Sequence, residues 1–318
     1  MHRLIFDTDL AMGAPGSDVD DGFALALALD LPDQQVELIT TVNGNTDVDT
    51  STLLTLDLLE RLGRRDIPVV RGARTPLLQP LHDHPTRNQV AGLHERLAQL
   101  SPAPGRAATA IVDHVMANPG EITIVAIGPL TNVAVALALE PALATAVKEI
   151  VVMGGVFLRT TQRLSMPGEF NIWVDPEAAA IVLNSGAPIR FIGLDVTLEV
   201  QLSRDDADCL RDSGRPFASY AGQCAHAWID YLSSVYPGQN LVTAPMHDAL
   251  AIAVISDPHL VTWQPAQVQV ESASPLTRGV TVADLLTSGD APLPNCRIAT
   301  QVDSAAFMTM FLKHVAQV

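Results

Sequence analysis

Short apolar segments that end at turn residues alternate along the chain with longer segments in which apolar residues recur every three to four positions. The first pattern is typical of strands buried in a sheet, and the second is typical of helices with one buried face. The predicted strands are Arg3–Phe6, Val36–Val42, Pro68–Val70, Ile122–Ile127, Ile150–Met153 and Ile189–Ile192. The predicted helices are Asp20–Leu29, Thr50–Leu62, Ala107–Ala117, Asn132–Leu139 and Pro176–Leu183. This alternation predicts an α/β fold with an open, mostly parallel, doubly wound sheet and helices on both faces.

The last third of the chain is less regular. Its predicted elements are helices at Phe217–Val235, Ala249–Ile255 and Ala305–Ala316 and strands at Val268–Ser272 and Cys296–Thr300. A length of 318 residues fits either two domains or one large α/β domain. Because no linker rich in proline, glycine or serine, no low-complexity tract and no internal repeat interrupts the sequence, a single domain over residues 1–318 is predicted.

The charge balance is acidic, with 19 lysines and arginines against 35 aspartates and glutamates and a net charge of −16. This balance argues against a nucleic-acid or anionic-membrane partner, since both bind basic surfaces. A hydrophobic content of 48% excludes a disordered chain. The longest apolar runs, Phe23–Leu29 and Val133–Leu139, are shorter than the roughly 18 residues of a membrane helix. Because Asp7 and Asp9 come too early for a signal peptide, a cytoplasmic location is expected.

Cysteine and lysine are scarce. Cys209, Cys224 and Cys296 are odd in number and far apart, which predicts neither a disulfide framework nor a zinc site. The two lysines, Lys148 and Lys313, do not follow a glycine, so the sequence has no phosphate-binding Gly-Lys pair.

Acidic residues cluster after the first strand. Asp7 and Asp9 are two positions apart at the strand end, so both carboxylates can face the crevice where open parallel sheets bind ligands. Asp18, Asp20 and Asp21 follow, and no lysine or arginine lies between Asp7 and Asp21. Asp20 and Asp21 precede a helix and could simply cap it. Alternatively, the five acids share a divalent cation that prefers oxygen ligands.

Further candidate ligands lie at other predicted strand ends. His247 and Asp248 begin the helical segment HDALAIAVISD, where capping is the simpler interpretation. Ile127 ends a strand before the Gly-Pro pair of IGPLTN, so its backbone carbonyl could bind a metal, or the segment could be an ordinary turn. Glu169 and Asn171 follow a long loop and precede a strong helix start.

Seven motifs follow one another in the order found in the inosine-uridine-type nucleoside hydrolases. They are DTD…DD, TTVNGN, ITIVAIGPLTN, VVMGG, EFNIWVDPEAA, HDALA and RGVTVAD, and they span positions 5 to about 285. The chain therefore resembles a family whose members hydrolyse the N-glycosidic bond of ribonucleosides with a calcium ion in an all-oxygen site. The resemblance implies a nucleoside-hydrolase-like fold, a small-molecule nucleoside substrate, a role in purine or pyrimidine salvage, and a homodimer or homotetramer.

The resemblance also assigns the metal site and the chemistry. Asp9 resembles the metal-bound general base, and Asp21 resembles the bidentate calcium ligand. Asp248 resembles the third carboxylate ligand, and Ile127 matches the position whose backbone carbonyl binds the metal in the family. His247 matches the histidine that faces the leaving base, where a side chain titrating near neutral pH is expected to act as the acid.

The resemblance further assigns substrate contacts. Four residues match the family positions that bind the ribose hydroxyls: Asp20, Asn45, Glu169 and Asn171. His84, or else His82, lies in the loop LHDHPTR and is a candidate nucleobase contact, with a solvated loop histidine as the alternative. Tyr236, which begins the turn-rich stretch before His247, is a further candidate substrate contact.

The chain departs from the family pattern at two places. Asp9 and Asp20 are eleven positions apart where the family has four, an insertion of seven residues. The loop between Gly155 and Glu169 lacks the asparagine that usually contacts the 5′-hydroxyl, and it carries Arg159 and Arg163. These arginines either pair with an anionic 5′ group or point to solvent while Gln162 or Ser165 holds the 5′-hydroxyl.

Two other functions fit parts of the pattern. A catalytically silent ribose- or nucleoside-binding protein could use the same pocket, although the presence of both Asp9 and His247 favours an enzyme. A haloacid-dehalogenase-type phosphatase also ends its first strand in Asp-x-Asp, but it needs Thr or Val where this chain has Ala11. It also needs a downstream lysine, for which only Lys148 is available.

Overall fold

The computed structural model describes residues 1–80, 88–90, 92–97, 99–239, 241–286 and 291–318. The strands are β1 (His2–Thr8), β2 (Gln34–Thr41), β3 (Val69–Arg71), β4 (Ile122–Ala126), β5 (Glu149–Met153), β6 (Ile189–Ile192), β7 (Gln201–Ser203), β8 (Thr243–Pro245), β9 (Val261–Val270), β10 (Thr281–Asp284) and β11 (Cys296–Val302). The helices are α1 (Asp20–Asp30), α2 (Val48–Arg61), α3 (Leu93–Arg96), α4 (Ala107–Ala117), α5 (Thr131–Leu139), α6 (Leu143–Ala146), α7 (Phe170–Val174), α8 (Pro176–Leu183), α9 (Leu194–Thr197), α10 (Arg204–Arg211), α11 (Pro216–Val235), α12 (His247–Ser256) and α13 (Ser304–Val315).

A nine-stranded sheet forms the centre, in the order β10-β9-β11-β6-β5-β4-β1-β2-β3. The strands from β3 to β11 in this order run parallel, and β9 and β10 add an antiparallel edge. The predicted open, mostly parallel α/β architecture is therefore confirmed. A separate two-stranded ladder joins β7 to β8.

Side chains alternate between two hydrophobic cores along the central strands. In β1, Leu4 and Phe6 belong to one core, whereas Ile5 belongs to the other. The first core packs the sheet against α1, α12 and α13, and the second packs it against α4, α5 and α8. Burial on both faces explains why these strands read as continuous apolar runs in the sequence.

The strand order reverses direction beside β1. The chain moves from β1 to β2 and β3 on one side, and from β4 to β5 and β6 on the other. In doubly wound sheets the ligand crevice opens at the carboxyl ends of strands at such a switch point. The carboxyl ends of β1 and β4 lie at this point and carry Asp9 and Ile127.

No helix in the described ranges is long and apolar enough to cross a membrane.

Candidate active site

A cavity of about 790 Å³ opens at the carboxyl ends of the parallel strands. The predicted site residues that line it are Asp20, Asn45, Ile127, Glu169, Asn171, Tyr236, His247 and Asp248. The predicted base Asp9 and the predicted ligand Asp21 lie fully buried beside the lining carboxylates. His84 and His82 lie outside the residues that the structure describes. Residues far apart in the sequence therefore meet at one cavity.

Asp20 and Asp21 begin α1 but hydrogen-bond to neighbouring elements. The hydroxyl of Thr8 and the side-chain amide of Asn45 (3.2 Å) both donate to Asp21, and the backbone N–H of Asp248 donates to Asp20 over 3.1 Å. Val19, which precedes α1, makes no side-chain hydrogen bond that caps the helix. These contacts favour a role for the two carboxylates beyond helix capping.

Carboxylate oxygens of Asp20, Asp21 and Asp248 all lie within 4.8 Å of one another. Burial, followed by the charge of neighbouring carboxylates, raises the pKa of Asp20 to about 7 and the pKa of Asp248 well above its ordinary value. Burial also raises the pKa of Asp21 to about 7. Three buried acids this close repel one another when ionised, so the cluster can hold a metal ion through oxygen ligands.

Asp9 lies directly after β1 in a tightly packed position. The backbone N–H of Asn45 donates to Oδ2 over 2.7 Å, whereas Oδ1 is buried without a partner in the described structure. A Cβ at Gly44 would lie 2.0 Å from Oδ2, so only glycine lets this loop approach the carboxylate. Burial and the nearby charge of Asp21 raise the pKa of Asp9 well above its ordinary value.

Asp7 does not join Asp9 at the cavity. Its Oδ1 accepts hydrogen bonds from the Thr40 hydroxyl over 2.5 Å and the Asn132 amide over 2.8 Å, within the buried sheet. The spacing of two positions suggested that both carboxylates could face the crevice. The strand ends at Thr8, however, so the alternation that would align the two side chains stops before Asp9.

Glu169 caps α7 and brings its carboxylate to the cavity wall. Its oxygens accept from the backbone N–H groups of Asn171 (2.9 Å), Gly155 (3.1 Å) and Ile172 (3.2 Å). Burial raises its pKa to about 7, against the opposing effect of these donors. The side-chain amide of Asn171 donates to the carbonyl of Ile127 over 2.9 Å, which ties α7 to the end of β4.

His247 begins α12, and its ring hydrogen-bonds to one polar side chain among the described residues. Its Nδ1 lies 2.7 Å from the hydroxyl of Thr197, the last residue of α9. Burial lowers the pKa of the imidazole to about 4, so the ring is neutral at neutral pH in the metal-free protein. This differs from the expectation of a histidine that titrates near pH 7, because the sequence contains no signal for the depth of the ring.

The loop between Gly155 and Glu169 forms another wall, and its two arginines differ. Arg159 donates to the carbonyl of Asp195 and lies 3.7 Å from the carboxylates of Asp195 and Glu199. The guanidinium of Arg163 lies 5.7 Å from the ring centre of Tyr236. Arg159 is therefore held by acidic partners, and Arg163 joins the loop to the end of α11.

Helix α11 contributes an aromatic wall that the sequence did not predict. The rings of Trp228 and Tyr231 stack with their centres 5.5 Å apart, and both residues line the cavity. Gly16 of the insertion approaches the Tyr231 ring so closely that a Cβ there would lie 2.7 Å from it. The helix was predicted, but two aromatic residues three positions apart on a helix are equally typical of core packing.

The raised pKa values predict how pH affects the metal-free protein. Folding raises the pKa of Asp20 and Asp21 from 3.8 to about 7, so the folded chain binds these protons more tightly than the unfolded chain. The free energy of unfolding is therefore expected to fall as pH rises from about 4 to about 7. Urea denaturation at pH 5 and pH 8, of protein from which a chelator has removed any metal, measures this effect. A smaller pH dependence is expected for Asp20→Asn, and an identical dependence would contradict the assignment.

The chain matches one known protein family over nearly its whole length. A family model described as inosine-uridine preferring nucleoside hydrolase matches residues 4–309. The non-specific ribonucleoside hydrolase RihC of Salmonella newport (strain SL254) is 38% identical over 312 residues, which covers 96% of this chain and 94% of the relative. The RihC of Salmonella enteritidis PT4 (strain P125109) is 37% identical over the same length.

Solved structures give the same result. The plant nucleoside hydrolase PpNRh1 superimposes with a TM-score of 0.86 at 28% identity and covers 100% of this chain and 99% of its own. The purine-preferring ribonucleoside hydrolase from Gardnerella vaginalis has a TM-score of 0.85 at 28% identity, covering 99% and 98%. These comparisons confirm the resemblance drawn from the seven motifs and give no support to the phosphatase alternative.

Proposed function

The chain belongs to the inosine-uridine preferring nucleoside hydrolases, and from that premise we propose that it cleaves the N-glycosidic bond of purine or pyrimidine ribonucleosides with the help of calcium. Family membership makes it an enzyme, a nucleoside hydrolase. The observation that carries the proposal is the carboxylate cluster on the cavity wall. Asp20, Asp21 and Asp248 meet there, and Asp9 lies beside them.

The cluster suits a hard divalent cation. The four carboxylates are almost completely buried, and the strongest charges acting on them come from one another and from Asp18. The buried Oδ1 of Asp9 has no partner in the described residues, as expected for an atom that awaits a ligand. The side chains of the cluster offer carboxylate oxygens as donors, which favours calcium or magnesium over zinc.

We assign the calcium ligands as Asp9, Asp21, Asp248 and the backbone carbonyl of Ile127. The Ile127 carbonyl already accepts from Asn171, and its second lone pair remains for a metal. A bound calcium ion would neutralise the carboxylates, orient the attacking water and bind the ribose diol. Ribose contacts are assigned to Asp20, Asn45, Glu169 and Asn171.

Asp9 is proposed as the general base. As the water oxygen forms a bond to the anomeric carbon, the carboxylate takes one proton from that water. The bond to the nucleobase breaks, and its electron pair leaves with the base. The surrounding carboxylates stabilise the positive charge that develops on the sugar in an oxocarbenium-like transition state.

His247 is proposed to face the departing nucleobase. A neutral imidazole at this position donates a hydrogen bond to the nitrogen on which negative charge develops. The departing base takes up one proton from solvent, and Asp9 releases to solvent the proton that it took from water, so that the hydrolysis balances. Tyr236 and the wall formed by Trp228 and Tyr231 lie around the same cavity and are proposed to contact the base. The cytoplasmic location, the homodimer or homotetramer and the single domain stay predictions.

Ribose release from a panel of nucleosides tests the proposal. With calcium present, we expect the purified protein to release reducing sugar from inosine or uridine, and no phosphate from phosphate esters. Comparing the rate on the 5′-deoxy nucleoside with the rate on its parent measures whether the pocket recognises the 5′-hydroxyl. A protein that binds nucleosides in calorimetry but releases no ribose from any of them contradicts the proposal and favours the silent binding protein.

A further inference from the structure

Thr197 is buried completely at the end of α9, and its hydroxyl lies 2.7 Å from Nδ1 of His247. This is the only hydrogen bond that the Thr197 hydroxyl makes with the described residues. The residue belongs to none of the groups assigned above to metal, water or substrate. Its position beside the ring that faces the nucleobase nevertheless links it to the reaction.

The segments that carry the two residues are held together by backbone hydrogen bonds. The N–H of Met246, directly before His247, donates to the carbonyl of Val200 over 2.9 Å. The antiparallel ladder of β7 and β8 continues this contact, pairing Gln201 with Pro245. Thr197 and His247 therefore lie at a fixed separation, and their hydrogen bond does not depend on a mobile loop.

The direction of this hydrogen bond follows from counting donors and acceptors. If the hydroxyl accepted from Nδ1–H, its own buried hydrogen would have no acceptor among the described residues, which is costly for a buried polar group. If the hydroxyl donates to Nδ1, the hydroxyl hydrogen and Nδ1 are both satisfied, and the ring proton resides on Nε2. Nε2 has no hydrogen-bond partner among the described residues, and it is not fully buried. It is therefore accessible on a ring that lines the cavity.

We infer that Thr197 is a positioning residue for the hydrolysis: its hydroxyl holds the His247 ring in the tautomer and orientation that present Nε2–H to the departing nucleobase. The inference rests on the role proposed for His247. A partner of this kind fixes which nitrogen of a histidine is available. For histidines that bind metals, its loss typically costs about 10- to 100-fold in metal affinity or activity, and we expect an effect of similar size here.

The test compares a poor leaving group with an activated one. Thr197→Val has nearly the same shape but no hydroxyl, and Thr197→Ser restores the hydroxyl. On inosine, kcat of Thr197→Val is expected to fall by roughly 10- to 100-fold with little change in KM, because Thr197 does not touch the substrate. On 4-nitrophenyl riboside, whose leaving group needs little assistance, the loss is expected to be several-fold smaller. Thr197→Ser is expected to recover most of the rate on inosine.

Thr123→Val is the matched control, because Thr123 is a fully buried threonine of β4 whose hydroxyl has no partner in the described structure. It is expected to leave both rates unchanged. Equal losses on the two substrates for Thr197→Val, without rescue by serine, would show a structural role and overturn the inference. If His247→Ala lowers the rate by the same factor on both substrates, the role proposed above for His247 is wrong instead.

A measurement on the unaltered protein covers the case in which Thr197→Val does not fold. Nitrogen-15 NMR of the histidine rings, with the His247 signals identified by their loss in His247→Ala, distinguishes the two tautomers. We expect the proton on Nε2. A proton on Nδ1 overturns the inference even if the protein hydrolyses nucleosides.

Discussion

Replacing Asp9 with asparagine is expected to lower kcat for nucleoside hydrolysis by about 100- to 10,000-fold, because the change removes the group that accepts the proton of water. The side chain keeps its shape, and one carbonyl oxygen can still accept from the N–H of Asn45, as Oδ2 does at 2.7 Å. The fold is therefore expected to persist. Stopped assays on inosine at saturating calcium, together with circular dichroism, provide the measurement.

Asp7→Asn is the control for this variant. It removes the same charge two positions earlier, from a buried carboxylate that hydrogen-bonds to Thr40 and Asn132 rather than lining the cavity. Once folded, it is expected to keep a kcat close to that of the unchanged protein. The role of Asp9 as the base is wrong if Asp9→Asn binds calcium normally and keeps more than about a tenth of the activity.

The central strands and long helices were predictable because their burial is recorded in the local pattern. Ala107–Ala117, Pro176–Leu183 and Ile189–Ile192 were predicted with the bounds that the structure shows. These elements have consistent periodicity and clear terminal residues, such as Asp175, whose side chain accepts from the N–H of Ala178. Such signals depend on neighbours along the chain, not on tertiary contacts.

Elements that depend on tertiary contacts were missed or shortened. Helix α7 consists of Phe170–Val174, mostly β-branched and aromatic residues, and it is stabilised by its Glu169 cap. Strand β9 was predicted only from Val268 onwards because Pro265 interrupts the pattern. Residues 261–266 of β9 pair with β11 alone, and such a one-sided position tolerates proline.

The candidate site divides in the same way. Motifs at strand ends predicted the carboxylates of the cavity, since parallel strands bring their carboxyl ends to one edge. Thr197 and Trp228 could not be predicted, because their roles depend on which helix packs beside the crevice. The depth of His247, which lowers its pKa to about 4, is likewise a property of the packed fold.

Removal of the metal is expected to have an effect as large as the loss of Asp9. The buried carboxylates of Asp20, Asp21 and Asp248 repel one another without a cation, and they hold raised pKa values in the metal-free protein. Because a metal ion typically contributes several kcal/mol to such a reaction, a loss of more than about 100-fold is expected. Magnesium is expected to restore less than calcium, since it demands a smaller and more regular shell of oxygens.

The proposed function requires that Asp9, Asp21, Asp248 and the carbonyl of Ile127 hold a calcium ion on which nucleoside hydrolysis depends. The most direct test is the rate of ribose release from inosine by protein shown to be metal-free by elemental analysis, before and after titration with calcium. This calcium requirement predicts a rate below about one hundredth of the maximum before addition and full recovery as one calcium binds per chain. An undiminished rate in the metal-free protein, or recovery with zinc but not with calcium, would contradict it.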